Sequence, residues 1–293
     1  MKQQFTPHRF NSNSCAMIER INAILDEYEG QGYKLSLRQL YYQLVSRAVI
    51  ENSVKSYKTV GGLVSVGRLA GLIDWDMIED RSRSTTMVSH WESPGDILQA
   101  SADCFHIDKW LDQEWHIEVM VEKDALSGVL EPVCAELDIN VTANRGYSSS
   151  STMYEIGQRL MYKQAREDKR ICIMYLGDHD PSGIDMTRDV EERLSLFSWG
   201  RVTVERLALN WEQIEEWQPP ENPAKETDSR FAAYQAEFGD SSWELDAVEP
   251  ATLAELVTEA VSQYRDVDKW DTAVDKEDTY IAELMTMAKK YNG

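Results

Sequence analysis

Cysteine is scarce in this chain. The four that occur, Cys15, Cys104, Cys134 and Cys172, lie far apart with no CxxC pair. That spacing argues against a disulfide framework or a zinc site and predicts free thiols. Long apolar runs are missing too, so no membrane span and no membrane partner is expected. The opening MKQQFTPHRF lacks the apolar core of a signal peptide, which predicts a cytoplasmic protein. No internal repeat, low-complexity tract or GxxxxGK[ST] loop occurs, so any ATP-driven step would need a separate ATPase subunit. Positive charge is short as well: 30 Lys and Arg face 51 Asp and Glu, a net charge of −21. For the chain as a whole this disfavours nucleic-acid binding.

What remains is a folding sequence: 293 residues, 42% hydrophobic, with nine Trp and thirteen Tyr, enough for two domains. Charge divides them. Residues 1–90 carry 11 Lys/Arg and 9 Asp/Glu, a net of +2, and the remainder a net of −23. Either the acidic part only keeps the protein in solution, or the two parts have different jobs.

Apolar spacing predicts a helix over 13–30 with a glycine C-cap at Gly30, and a second over 35–50 with Ser36 as N-cap. A third spans 53–73, with Gly61-Gly62 as a weak point or break. Residues 73–84 read as a wing or strand. Three helices and a wing suggest a winged-helix or helix-turn-helix module over 1–112, linker included. Lys55, Lys58, Arg68, Arg81 and Arg83 would form its DNA-binding face. A small helical bundle without DNA contact is the other reading. Residues 88–112 read as a connector.

Past it the period changes. Strands are predicted at 116–123, 139–147, 170–180 and 201–209, and helices at 124–138, 150–168 and 184–197, with Ser150 or Ser151 as a cap. Such alternation implies right-handed crossovers and a parallel sheet over 113–293, an α/β domain. WQPPENPAKETDSR, 217–230, reads as a loop, 243–250 as a short strand or turn, and two helices near 251–265 and 276–291 form a C-terminal helical extension.

The run RICIMYLGDHDPSG then stands out. Its apolar part reads as a strand buried on both faces, and Asp178 and Asp180 follow at its end. Side chains two apart in extended chain share a side. Glu122 ends the first strand, so neighbouring strands would bring three carboxylates together. Close anions need a counter-charge, and a hard divalent cation, Mg²⁺ or Mn²⁺, with a phosphate as partner, suits oxygen ligands. The plainer alternative is that the aspartates cap the next helix.

The order of Glu122 in VEKDAL followed by Asp178 and Asp180 in GDHDPSG, over residues 116–209, resembles the Toprim domain of topoisomerases, primases and nucleases. The D-x-D-P-x-G form is most similar to the topoisomerase VI A subunit family, with its relatives the meiotic double-strand-break transesterase and the Wadjet nuclease subunit. Those proteins place a winged helix before the Toprim domain. The resemblance implies a Rossmann-like four-stranded sheet, Mg²⁺-dependent DNA cleavage by Glu122, Asp178 and Asp180, and a homodimer facing two strands. In that family a tyrosine in an R-D-I-Y-Y-like stretch attacks the phosphodiester. Here the match is Arg38-Gln39-Leu40-Tyr41-Tyr42, with Gln39 in the acidic place. Tyr42 would be the nucleophile and Arg38 the phosphate stabiliser. On a helix, however, Leu37, Leu40, Tyr41 and Leu44 form an apolar stripe, and Tyr42 could belong to its margin. A metal-activated water would then attack, making a hydrolytic nuclease. A degenerate Toprim scaffold that binds DNA or a partner without catalysis is the reading from another class.

Weaker signals complete the set. RGYSSSS, 145–151, could cradle a phosphate or merely cap a helix. Lys225 and Arg230 could touch the DNA backbone, and Glu244 and Asp246 could add carboxylates to the metal site. His179 should point away from the aspartates that flank it.

Overall fold

The computed structural model describes residues 2–79, 88–144 and 148–292 as a mixed α/β protein. The N-terminal unit is built on α1 (Ser12–Gly30), α2 (Leu37–Ser46) and α3 (Val54–Leu69). Each begins on a side chain that accepts an otherwise unpaired helix N–H: Asn11, Ser36 and Ser53. Gln39 completes a capping box by accepting the Ser36 N–H at 2.8 Å, so it has a local role of its own. The apolar stripes of the three helices close on one core that includes Ile21, Leu25, Tyr28, Leu40, Leu44, Val64 and Ile73.

Several expectations are corrected here. α1 does not end on a glycine cap at Gly30, which is still helical; the left-handed turn falls to Gly32, with φ of +82°. α3 does not break at Gly61-Gly62. A Cβ on Gly61 would lie 3.2 Å from Leu37 Cδ2, so the bare backbone lets α3 close on α2. Of the segment expected as a wing, β2 (Ile78–Glu79) pairs in parallel with β1 (Leu35–Ser36). Arg81 and Arg83 lie outside the described residues, as do 145–147 of the Ser-rich stretch.

The larger unit is a three-layer sandwich. Its sheet has the order β4-β3-β5-β6, all parallel, from β4 (Asn140–Ala143), β3 (Trp115–Val121), β5 (Arg170–Leu176) and β6 (Val202–Ala208). β5 is buried on both faces, as its apolar run predicts. Cys172, Met174 and Leu176 face one layer, and Ile171, Ile173 and Tyr175 the other. The first layer packs on α5 (Ser127–Glu136) and α10 (Pro250–Ser262), the second on α6 (Ser150–Glu167) and α7 (Pro181–Ser198). β3 therefore leads into a helix on one face and β5 into a helix on the other. The sheet reverses its winding between them, and in open α/β sheets that switch leaves a crevice at the strand C-termini.

The stretch 211–243 is richer than the sequence suggests. Within the segment the prolines mark as a loop lies β7 (Glu221–Pro223), which follows α8 (Trp211–Trp217) and pairs antiparallel with β8 (Ser241–Trp243) across the intervening α9 (Phe231–Phe238). The expected connector holds α4 (Pro94–Asp103), which lies along α11 (Val267–Asn292). Ser149, not Ser150 or Ser151, caps α6, its Oγ accepting the Thr152 N–H at 3.1 Å. Among the described residues no helix is long and apolar enough to cross a membrane.

Candidate active site

The crevice between β3 and β5 receives Glu122 and the turn Gly177-Asp178-His179-Asp180. Glu122 continues the ladder by donating its N–H to Leu176 O at 2.8 Å, and its Oε2 accepts the Asp178 N–H at 2.9 Å. A glycine must stand between them: a Cβ on Gly177 would fall 2.9 Å from Glu122 Oε2. Gly183 has a similar constraint. Its Cβ would fall 2.2 Å from Asp178 O, so the first turn of α7 can abut the aspartate backbone only without a side chain. The Gly of D-x-D-P-x-G thus follows from packing.

The two aspartates part ways. Asp180 is the N-cap of α7, its Oδ1 accepting the Gly183 N–H at 2.6 Å and the Ser182 hydroxyl at 2.8 Å. Asp178, 7% exposed, turns to the crevice. Its Oδ1 accepts the Leu245 N–H at 2.8 Å and its Oδ2 meets Lys123 Nζ at 2.7 Å. The expectation that both carboxylates face one spot is therefore corrected. The chain leaves the extended strand at Leu176, and the helix start claims Asp180.

Glu244 and Asp246, on the turn after β8, join Asp178. Lys123 Nζ lies 2.9 Å from Glu244 Oε2 and 3.0 Å from Asp246 Oδ2. From the N-terminal unit, Arg38 Nε donates to Glu244 Oε2 at 2.8 Å and lies 3.5 Å from Asp246. Tyr42, 3% exposed, packs with Tyr41 on Ala247, and its hydroxyl accepts from Asn222 Nδ2 at 3.2 Å. Asn222 is held in turn by Asn52, which donates to Asn222 Oδ1 and to Glu221 O, both at 2.8 Å. Arg38, Tyr42, Asn222 and Glu244 line one cavity of about 290 Å³. Beyond Arg38 a second cavity of about 560 Å³ lies between α2, α3 and the Asp124–Leu126 turn.

Electrostatics follow from this packing. Burial, then the charge of Asp178, pushes Glu122 up to about 7, and Asp180 adds to the shift. Burial also raises Asp178, against the pull of Lys123. Burial alone would lower Lys123, but Asp178, Asp246 and Glu244 outweigh it and hold the ammonium charged. Tyr42 is pushed up to about 12 by burial and Glu244, with Asn222, Arg38 and Lys123 acting the other way. Asp246 is 1% exposed, and among the described residues neither carboxylate oxygen receives a directed hydrogen bond although Lys123 Nζ is only 3.0 Å from Oδ2. The short distance marks charge contact rather than a directed bond.

Among the described residues no three His, Cys, Asp or Glu side chains are spaced as ligands of one ion. The cap at Asp180 and the ammonium at Asp178 account for that. The donor type suits a hard cation: Glu122 and Asp178 offer carboxylate oxygens, with Asp180 as a neighbouring negative charge. Comparison of the chain with protein-family models gives no match, and comparison with curated proteins gives none either.

The other basic residues stand apart. Lys55 and Lys58 are exposed on α3. Arg68 faces its own loop instead of solvent, its guanidinium donating to Trp75 O at 2.9 Å, to Asp74 O at 3.4 Å and to Ile78 O. These bonds give it a role in the fold. Arg230 is paired with Asp185 at 3.0 Å and with Asp228 at 3.3 Å. His179 does point away: its Nδ1 meets Tyr234 Oη at 2.8 Å among Trp211, Phe238 and Trp243. Sequence reasoning missed Arg206, whose guanidinium donates to Asp178 O at 2.6 Å, Gly183 O at 2.9 Å and Gly177 O at 3.1 Å. Nothing in its strand context signals this role. Asn222, inside a proline-marked loop, was equally invisible.

Proposed function

We propose that the protein cleaves DNA in a divalent-cation-dependent reaction at a Toprim-like centre, with Tyr42, on a winged-helix-like unit, as the attacking group. The observation that carries the reading is the meeting of α2 with the strand-end carboxylates. Arg38 reaches Glu244, and Tyr42 lines the same cavity, although their sequence separation from that segment exceeds 200 residues. A structural role for Tyr42 alone would not require a guanidinium paired with the Glu244 carboxylate on the same cavity wall.

In this reading the Tyr42 oxygen attacks phosphorus, a Tyr–O–P bond forms, one P–O bond to a sugar breaks, and the sugar oxygen takes up a proton. Arg38 faces the charge that develops on the phosphate. Glu122, titrating near 7, is suited to exchange a proton at neutral pH. A Mg²⁺ held by Glu122 and Asp178, with the charge of Asp180 beside them, would supply Lewis-acid charge at the phosphate oxygens. Asn222 and Asn52 fix the Tyr42 hydroxyl in the cavity.

One observation favours hydrolysis by water as the second reading: Tyr42 is buried and its phenol is pushed up to about 12, so it holds its proton until DNA and cation arrive. Supercoiled plasmid incubated with Mg²⁺ or Mn²⁺, stopped with SDS and run with and without protease, separates the two. Cleavage lost in Asp178→Ala and Tyr42→Phe, with protein-bound ends, is expected. Free ends, with Tyr42→Phe still active, would make it a hydrolytic nuclease. Binding of DNA without cleavage, with or without added cation, would refute both.

A further inference from the structure

We propose that Lys123 is the resident cation of the Glu244–Asp246 side of the centre, so that the protein takes one divalent ion where its carboxylates could hold two. The inference rests on the cation-dependent reading above and deepens it.

Three carboxylates from two separate segments converge on one ammonium. Asp178 Oδ2, Glu244 Oε2 and Asp246 Oδ2 lie 2.7, 2.9 and 3.0 Å from Lys123 Nζ. A cluster of acids alone would say little, since a structural ion pair has the same ingredients. Asp246 adds the second observation. It is 1% exposed, it is aimed at the cluster, and among the described residues neither of its oxygens accepts a directed hydrogen bond, with Lys123 and Arg38 only 3.0 and 3.5 Å from Oδ2. A buried carboxylate normally satisfies its lone pairs with directed N–H or O–H groups. Here it has only proximity to positive charge, which is the condition a spherical cation meets as well as an ammonium does. The pocket is therefore built for a cation, and the chain fills it with its own.

The charge balance points the same way. Five carboxylates, of Glu122, Asp178, Asp180, Glu244 and Asp246, face three cationic side chains, Lys123, Arg38 and Arg206. On the Glu122 side Asp178 and Asp180 are the neighbouring anions, and Lys123 and Arg206 are the counter-charges. A divalent ion there meets the negative charge that three cations leave over from five carboxylates. A second one, on the Glu244–Asp246 side, would have to expel the ammonium from contact with three carboxylates.

The test is a Mn²⁺ titration of the full chain without DNA, read as free Mn²⁺ by electron paramagnetic resonance. One ion is expected for the wild type and for Lys123→Arg, and two for Lys123→Met. The melting temperature of Lys123→Met, depressed in EDTA, should recover with Mn²⁺ by more than the wild type gains. Should Lys123→Met not fold, Glu244→Gln/Asp246→Asn keeps the question open to refutation, because it leaves Lys123 in place and should still bind one ion. Two ions in the wild type would overturn the proposal while sparing the cation-dependent reading. So would a single ion in Lys123→Met, or none in Glu244→Gln/Asp246→Asn with one in the wild type. Absence of Mn²⁺ binding in every form, Lys123→Met included, would remove the cation-dependent reading and the proposal together.

Discussion

Arg206→Met is the sharpest test of how the candidate centre is held. Arg206 sits on β6, and its guanidinium donates to Asp178 O, Gly177 O, Gly183 O and, at 3.3 Å, Leu209 O. Methionine keeps most of the aliphatic stem, so the packing near Tyr175 survives and the donors alone are lost. Gly177 O keeps the Leu209 N–H at 2.7 Å, which limits its loss. Asp178 O, in a buried turn, loses a charge-assisted bond of about 1.5–3 kcal/mol, and the weaker bonds add about 1 kcal/mol together. The expected cost is about 3 kcal/mol, which for a protein of this size is a fall in melting temperature of roughly 5 °C. Differential scanning calorimetry reads the shift, and urea denaturation followed by far-UV circular dichroism checks it. Arg206→Lys, with one ammonium for several carbonyls, should recover part of the loss. A fall of less than about 2 °C in Arg206→Met would refute the claim that this residue anchors the aspartate turn.

Two further outcomes concern pH, and their signs differ. Glu118 is fully buried on β3; burial alone would raise its carboxyl, but hydrogen bonds from His116 and Arg159 hold it down at about 2. Its contribution, about 3 kcal/mol, is present above about pH 4.5 and lost as pH falls through 2. Urea midpoints of Glu118→Gln should therefore be lower than wild type at pH 7 and converge toward it in acid, and parallel curves would refute the assignment. Glu122 is the opposite case, because its folded carboxyl holds the proton up to about 7 and the unfolded one releases it near 4.5. That stabilisation is present below 4.5 and lost as pH rises through 7. In EDTA, Glu122→Gln should gain up to about 3 kcal/mol over wild type between pH 5 and pH 8, and equal differences at both pH values would count against it.

The parts of the fold visible in the sequence were those set by short-range rules. β5 could be read from its unbroken apolar run, and the Ser36 cap from its place before an amphipathic stretch. The strand-end position of Glu122 and Asp178 followed from the same pattern. The errors have physical causes. Two adjacent glycines looked like a break in α3, but tertiary contact with Leu37 rewarded the missing side chain. Prolines at 219, 220 and 223 hid β7, which as a three-residue strand in a two-stranded sheet tolerates them. Arg68 and Arg206 look like any other surface cations in sequence, because a guanidinium that ties carbonyls together is defined only by the turns it reaches. The split between Asp178 and Asp180 depended on where the helix begins, within one residue.

The link between Arg38 and Glu244 also bears on how the protein is made. Its partners are separated by 206 residues, and the Tyr28–Glu249 hydrogen bond by 221. A ribosome delivers the N-terminal helices first, and they can close their own core early. The carboxylate crevice, in contrast, cannot be completed until residues 244–246 have left the exit tunnel. Up to that point a nascent chain carries Arg38 and Tyr42 without the wall they face. Assembly of the centre is thus among the last events of folding, and a prematurely terminated chain lacks it altogether.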